Sequence, residues 1–301
     1  VLLQTRLMYL SYYLALGSFM PYINLYYERM GLSGVQIGTL AALPVLIGAV
    51  ATLIWGAVAD ALRWHRGIFR MALLLGPVAV LMLSRATTFG ALIPLVIVYA
   101  LFTSPIVSLM DSAALEVAED HQMSYGDLRM WGSLGWAAAT WGVGTLIEHF
   151  DIHWLFYGYI GFMLLTFVTT LSQPPRRHVL RASLGHGLRH LLARPGFLLF
   201  LLSIFLLSVT SGGVFSFFTL YLDGIGAQEG AIGLAWTLAA LSEIPVMLGA
   251  GAIMRRINAR GLLKIAFLVY ALRWVLFSLI SDPFWALAVQ LMHGFSFGAF
   301  L

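Results

Sequence analysis

Ten long apolar segments separated by short polar connections dominate the hydrophobic pattern of this 301-residue chain. A run of about 20 apolar residues is long enough for a helix to cross a bilayer. No segment shows the alternation and turn punctuation of membrane strands, so the pattern predicts an all-α membrane protein. The predicted spans lie near residues 7–27, 35–59, 68–84, 88–113, 126–147, 152–172, 195–222, 230–254, 261–281 and 283–301.

One long polar interval, residues 173–194, interrupts this series and predicts a cytoplasmic linker. It would join an N-terminal six-helix bundle, residues 1–172, to a C-terminal bundle, residues 195–301. The Pro174–Pro175 pair would stop the preceding helix. The basic, amphipathic remainder suits a helix that lies on the anionic inner leaflet.

A repeat appears when the chain is shifted by 195 residues, because residues 25–38 then align with residues 220–233. Gly31 pairs with Gly226 and Glu28 with Asp223 in this register. Parallel repeats of membrane helices with a binding site between them are a transporter architecture. Adding 195 residues to the first half predicts twelve helices in the whole protein, of which the last two are missing here.

The composition agrees with a membrane protein, and the location of the basic residues explains the net positive charge of the chain. Hydrophobic residues make up 60% of the chain and charged residues 10%, against about 25% charged in soluble domains. The net charge of +4 could suggest nucleic acid, but most of the 17 Lys and Arg residues fall on one side of the predicted membrane. The positive-inside rule places that side, the N-terminus and the linker in the cytoplasm, and no nucleic-acid partner is expected. The absence of cysteine excludes disulfides and thiolate metal sites, and no metal or cofactor is predicted.

The most informative charges in the first half are Asp111 and Arg129, one in each arm of a helical hairpin. Both residues lie nine positions from Asp120, so the two side chains should sit at similar depth and are predicted to pair. A structural strut and a pair that a solute can open both remain possible. The hydroxyls of Tyr12 and Tyr13 are predicted to line a wet cavity.

The second half carries three further polar residues within apolar spans, Glu243, Arg273 and His293. Each intramembrane charge costs about 2.5–3.5 kcal/mol on insertion scales, and such residues often mark ion pathways. Glu243 near Arg273 could alternate between a protonated and an ion-paired state, or form a permanent bridge. The GFSFG sequence at 294–298 imitates a hydrolase motif but lies in an apolar helix, so Gly294 and Gly298 are interpreted as a helix-packing pair. No catalytic motif is present, and an enzyme is not predicted.

The pattern of Gly56, Asp60, Arg63 and Arg66 at the end of the second span resembles the signature loop of the major facilitator superfamily. The whole chain is similar to the lactose-permease-like group, and most of all to the phenylpropionate permease family, in SPIVSLMDS (104–112), YGDLRMWGSLGW (125–136), LRWVLF (272–277) and VQLMHGF (289–295).

The resemblance implies a major facilitator fold of two six-helix bundles, here truncated to about ten helices. It implies a gating role for the signature loop. It further implies solute binding by Asp111 and Arg129 and coupling roles for Arg273 and His293. The chain departs from lactose permease at Ala240, Gln290 and Ser296, so the galactoside substrate does not transfer.

These observations predict a secondary active transporter that works by alternating access, a proton symporter of a small organic solute such as an aromatic carboxylate. Arg129 and Asp111 would hold the polar head, Trp131 or Trp136 would stack on the solute, and Glu243, Arg273 and His293 would carry the proton. The expected partners are the solute, protons and the lipid bilayer, and the protein is expected to be a functional monomer in a bacterial-type inner (plasma) membrane. The alternatives are a sugar or nucleoside symporter, a drug exporter, or a membrane sensor or assembly partner that does not transport.

Overall fold

The computed structural model describes residues 1–171 and 193–298, and within these ranges every regular element is a helix. The predicted all-α class is therefore confirmed. The predicted linker helix falls almost entirely outside the described residues. The helices are α1 (Leu2–Phe19), α2 (Ile23–Arg29), α3 (Gly34–Leu62), α4 (His65–Leu83), α5 (Phe89–Thr103), α6 (Pro105–Asp120), α7 (Tyr125–His149), α8 (Trp154–Leu171), α9 (Pro195–Gly224), α10 (Glu229–Arg256), α11 (Ala259–Leu279), α12 (Pro283–Gln290) and α13 (His293–Ser296).

Each of the ten predicted spans coincides with helix, but three of them are divided into two pieces. The first span divides into α1 and α2, the fourth into α5 and α6, and the tenth into α12 and α13. Pro21 lies in the first break and Pro105 begins α6, which fits the missing N–H and the ring clash of proline. In the described part of the chain, six helical segments are long and apolar enough to cross a membrane by length and composition alone.

The 195-residue repeat is visible in the backbone. Helices α2 and α9 end 195 residues apart, and α3 and α10 begin 195 residues apart. Between them, Gly31 has φ +81° and Gly226 has φ +89°, a left-handed conformation that glycine adopts at little cost. The two turns also make equivalent hydrogen bonds, from Gly31 to Glu28 and from Gly226 to Asp223. The repeat predicted from the sequence is thus a repeat of structure.

Helices α7 and α10 make the main contact between the first group of helices, α1–α8, and the second group, α9–α13. Their backbones meet at Gly144 and Gly233. A Cβ at Gly233 would collide with the Thr140 carbonyl oxygen, and one at Gly144 would lie 2.6 Å from the Glu229 carbonyl oxygen. Only glycine permits this approach, which is the usual role of small residues between membrane helices.

The two groups are joined at one end of the molecule, called here the closed end, where α2 turns into α3 and α9 into α10. The opposite, open end contains the connections between α3 and α4 and between α6 and α7. The described hydrogen bonds between the groups run from the closed end to mid-depth: Arg29–Glu229, Gly230–Glu148, Asn24–Ser216, Thr140–Thr237, Thr237–Ala137 and Ser133–Glu243.

Candidate functional site

A cavity of about 720 Å³ lies between the two groups of helices. Its wall combines aromatic rings with a small number of charges, the composition expected of a small-molecule site. The polar and charged residues of the wall are Tyr13, Arg129, Ser133, Ser208, Ser211, Ser216, Glu243, Tyr270, Arg273, Gln290 and His293. The aromatic residues are Trp136, Phe215, Phe217, Phe218, Trp236, Trp274, Phe277 and Phe297.

Arg129 enters the cavity from α7 and rests on an aromatic ring of α1. Its guanidinium carbon lies 4.3 Å from the centroid of the Tyr13 ring, within the range of a cation–π contact. Its buried Nη1 has no hydrogen-bond partner among the described residues. Of Tyr12 and Tyr13, which the sequence predicts to line a cavity, Tyr13 belongs to the cavity wall and Tyr12 does not. Arg129 therefore presents a fixed charge with an unused donor.

The predicted pair between Asp111 and Arg129 is wrong, because no ion pair joins them in the structure. Instead, the Tyr9 hydroxyl donates a hydrogen bond of 2.6 Å to Asp111 Oδ1. The sequence prediction rests only on the depths of Asp111 and Arg129 within the α6–α7 hairpin. Tyr9 belongs to α1, so it lies outside that comparison. Asp111 lies outside the cavity wall, and none of the carboxylates that the structure describes lies at ion-pair distance from Arg129.

Glu243 is the buried carboxylate of the cavity, with 7% of its surface exposed. His293 Nε2 lies 3.2 Å from Glu243 Oε1, an ion pair when the imidazole is protonated. The Ser133 hydroxyl donates to Glu243 Oε2 across 3.1 Å. Glu243 Oε1 thus contacts the second group of helices through His293, and Oε2 contacts the first group through Ser133.

Arg273 makes no ion pair with Glu243, so the permanent bridge between them is wrong for this structure. Its guanidinium donates to Gln290 Oε1 at 2.6 Å and to Ser296 Oγ at 2.7 Å. Both acceptors are neutral, and both stand at positions where the sequence departs from lactose permease. Arg273 is 5% exposed, and its Nε has no partner among the described residues. Arg273 is therefore a buried cation that lines the cavity without a partner of opposite charge in the described part of the chain.

The two candidate stacking residues are placed differently. Trp136 lines the cavity, with its ring centroid 6.1 Å from that of Trp236 and 6.0 Å from that of Phe215. Trp131 is not part of the wall, and the Arg6 guanidinium lies 5.9 Å from its ring centroid.

The signature-loop residues lie at the open end, and none of them takes part in the described hydrogen bonds between the two groups of helices. Asp60 contacts His65 Nε2 at 2.9 Å, and Arg63, the residue that follows the end of α3, has φ 51°. A Cβ at Gly56 would meet no atom within 4 Å, so the structure shows no close helix approach there. At α13, in contrast, a Cβ at Gly294 would collide with the Ser242 carbonyl oxygen, as expected of a packing glycine.

Sequence reasoning missed several residues of this site. Ser133 gave no signal as a single serine in an apolar helix, although it lies one turn from Arg129 and therefore on the same face. Trp236 has no distinguishing feature within its apolar span. Gln290 and Ser296 differ from the charged residues of lactose permease, but the sequence does not show that both accept hydrogen bonds from Arg273.

The fold and the cavity together define a membrane transporter: two repeated groups of apolar helices enclose a polar site between them. The MFS_1 like family matches residues 2–301, and the chain belongs to this family of the major facilitator superfamily. The predicted membership of the major facilitator superfamily and the predicted all-α membrane fold are confirmed.

Named relatives agree with this assignment. The maltose permease of Geobacillus stearothermophilus is 33% identical over 282 residues, which cover 93% of this chain and 71% of the relative. The probable 3-phenylpropionic acid transporter of Escherichia coli (strain K12) is 26% identical over 95% of this chain and 76% of that protein. A crystal structure of the nucleoside transporter NupG superposes with a TM-score of 0.82 at 17% identity, covering 99% of this chain and 80% of that one. This protein is accordingly a multi-pass membrane transporter, and its relatives are transporters rather than enzymes.

Proposed function

We propose that the protein imports a small aromatic carboxylate together with protons by alternating access. The observation that carries this proposal is the cavity itself, where the buried guanidinium of Arg273, the half-buried guanidinium of Arg129 and a carboxylate–imidazole pair are surrounded by aromatic rings. Neither guanidinium has a carboxylate partner among the described residues. In this proposal residues 1–172 and 195–301 are the moving bundles, and residues 173–194 are the linker that joins them.

The two arginines favour an anionic solute. A buried charge is costly unless it is paired, and neither Arg129 nor Arg273 has a carboxylate within ion-pair distance among the described residues. A solute carboxylate would supply the missing charge and accept from the unused Arg129 Nη1. Asp111 would act beside Arg129 indirectly, by holding Tyr9 and the adjacent wall of α1.

The rings of Trp136, Trp236 and Phe215 form a cluster that suits the apolar part of such a solute. Edge-to-face arrangements of this kind contribute about 0.5–1.5 kcal/mol beyond area burial. Trp131 would support the wall from outside the cavity. A sugar is the second candidate, because the maltose permease is a relative at 33% identity and aromatic rings also stack on sugars.

Glu243 and His293 would hold the transported proton, with Arg273 as the neighbouring cation that disfavours a second positive charge. Each proton that enters across 100 mV contributes about 2.3 kcal/mol, enough for roughly a fortyfold solute gradient.

The positive-inside rule assigns the basic open end to the cytoplasm. The structure would then be an inward-facing state of a monomer in a bacterial-type plasma membrane, with its N-terminus and linker cytoplasmic. Gly56, Asp60, Arg63 and Arg66 would approach the second bundle only when the cavity turns outward.

Uptake of labelled 3-phenylpropionate into proteoliposomes, with and without an inward proton gradient, tests this function. We expect the gradient to drive accumulation in the wild type. Glu243→Gln should retain exchange of solute across the membrane and lose gradient-driven accumulation. Glu119→Gln, on the exposed end of α6, is the matched control and should behave as the wild type. Unchanged accumulation in Glu243→Gln would overturn the role of Glu243.

Competition separates the substrate classes. Unlabelled benzoate-type acids should inhibit uptake, and maltose or uridine should not. Inhibition by maltose alone would replace the proposed solute with a sugar. Specific binding of the acid without flux under any gradient would instead favour a sensor.

A further inference from the structure

Ser133 occupies a position to which neither a binding nor a coupling role has been assigned. It is 3% exposed, and its hydroxyl donates to Glu243 Oε2 at 3.1 Å. Of the described hydrogen bonds between the two groups of helices, this one lies nearest the open end of the molecule. The other Glu243 oxygen lies 3.2 Å from His293 Nε2. The carboxylate is therefore shared between the two moving parts.

Ser133 also adjoins the proposed solute site. It follows Arg129 by four residues in α7, so the two side chains share one face of the helix, and both line the cavity. A carboxylate bound at Arg129 would lie one turn from the Ser133 hydroxyl and could accept its hydrogen bond. The same hydroxyl can thus meet either the solute or the proton-binding carboxylate.

Resting on the proposed function, we propose that Ser133 is the positioning residue that links proton binding at Glu243 to separation of the two bundles. A hydrogen bond from a neutral donor to a carboxylate is about twice as strong as one to a neutral acceptor. When Glu243 takes a proton, the bond across the bundles weakens, and the hydroxyl is available to the solute at Arg129. Proton and solute then act together to release the mid-depth contact.

Several charged or titratable groups surround Glu243 and will modulate this step. Helix α1 contributes Tyr13, α7 contributes Arg129, α11 contributes Tyr270 and Arg273, and α13 contributes His293. Helices α9 and α12 bring no titratable residue to this level of the cavity. A substitution of Ser133 leaves all of these groups in place. Its effect on the pH dependence of uptake therefore reports on the hydrogen bond from Ser133 to Glu243.

The test is the pH profile of gradient-driven uptake by Ser133→Ala, Ser133→Thr and the wild type. Loss of the donor removes the hydrogen bond that ties the charged carboxylate to the first group of helices, so uptake should need less acid to release this contact. We expect the pH of half-maximal uptake to rise by about 1–2 pH units in Ser133→Ala. Ser133→Thr retains the hydroxyl and should restore the wild-type midpoint.

Thr237→Val is the matched control. Thr237 also donates across the bundles, at 2.7 Å, but its acceptor is the Ala137 carbonyl, which does not titrate. This variant should change the rate of uptake and leave the midpoint in place. If Ser133→Ala does not fold, Ser133→Cys supplies a much weaker donor and the same prediction.

The outcomes separate this inference from the proposed function. A wild type without pH-dependent uptake would overturn the proton symport, and the inference with it. A pH-dependent wild type with an unshifted Ser133→Ala midpoint would overturn only the role of Ser133. An equal shift of the midpoint in Thr237→Val would show that the loss of any contact between the bundles changes the pH profile of uptake. That result would also overturn the proposed role of Ser133.

Discussion

The Tyr9 hydroxyl and the Asp111 carboxylate lie 2.6 Å apart, and their hydrogen bond joins α1 to α6. Tyr9 is fully buried, so this contact fixes the carboxylate within the first group of helices. The partner expected from the sequence, Arg129, stacks on Tyr13 instead. The acid and the base of the hairpin are thus held separately by two tyrosines of α1.

Tyr9→Phe should destabilise the protein more than Asp111→Asn does. The first change removes a hydrogen bond to a half-buried, charged carboxylate, at a cost of about 1–3 kcal/mol, whereas an asparagine oxygen can still accept from Tyr9. Thermal unfolding of the purified proteins in detergent shows which of the two variants is less stable. A larger loss in Asp111→Asn would show that the negative charge itself is required for stability.

Gln290→Glu should reduce affinity for the anionic solute. A glutamate in place of the present acceptor would pair with Arg273 and neutralise it, while preserving a hydrogen bond of similar geometry. We expect at least a tenfold weaker Kd, measured by tryptophan quenching with 3-phenylpropionate. Ser296→Ala removes the other Arg273 acceptor without adding charge and is the control. Equal effects of the two variants would indicate lost packing rather than lost charge.

Gly233→Ala should open the closed end. An added methyl group would collide with the Thr140 carbonyl and push α10 away from α7. Because the chain has no cysteine, spin labels at Val35→Cys and Gln228→Cys can report the separation there by pulsed electron resonance. The mean distance should lengthen in Gly233→Ala. Gly212→Ala has free space around its Cβ and should leave the distance unchanged.

The Arg29–Glu229 ion pair should contribute modestly to closure at the same end. The Arg29 side chain is 41% exposed and that of Glu229 is 17% exposed, so about 0.2–1 kcal/mol is expected. Glu229→Gln should raise the open-to-closed ratio by up to about fivefold in the same spin-label measurement. The exchanged pair, Arg29→Glu with Glu229→Arg, should recover most of the closed population. Failure to recover would mean that neighbouring groups, rather than the pair, hold the end closed.

The sequence determined the spans, the helical class and the repeat. A bilayer offers backbone groups no hydrogen-bond partners, so a long apolar run must become a helix whatever surrounds it. The pairing of Gly31 with Gly226 also follows from the sequence, because the two glycines share one register, and the structure supplies its reason in the left-handed backbone at both positions. The candidate cavity charges Arg129, Glu243, Arg273 and His293 could also be selected from the sequence, because each is costly within an apolar span.

Which side chains bind one another was decided only by the tertiary structure. Sequence spacing gives the depth of a residue along its helix, but it does not give the rotation of that helix or the identity of its neighbours. Tyr9 reaches Asp111 because α1 packs against the hairpin, and Ser133 reaches Glu243 because glycines bring α7 and α10 together. Hydrophobicity selects what enters the membrane, whereas close packing and the need to satisfy buried polar groups select the partners.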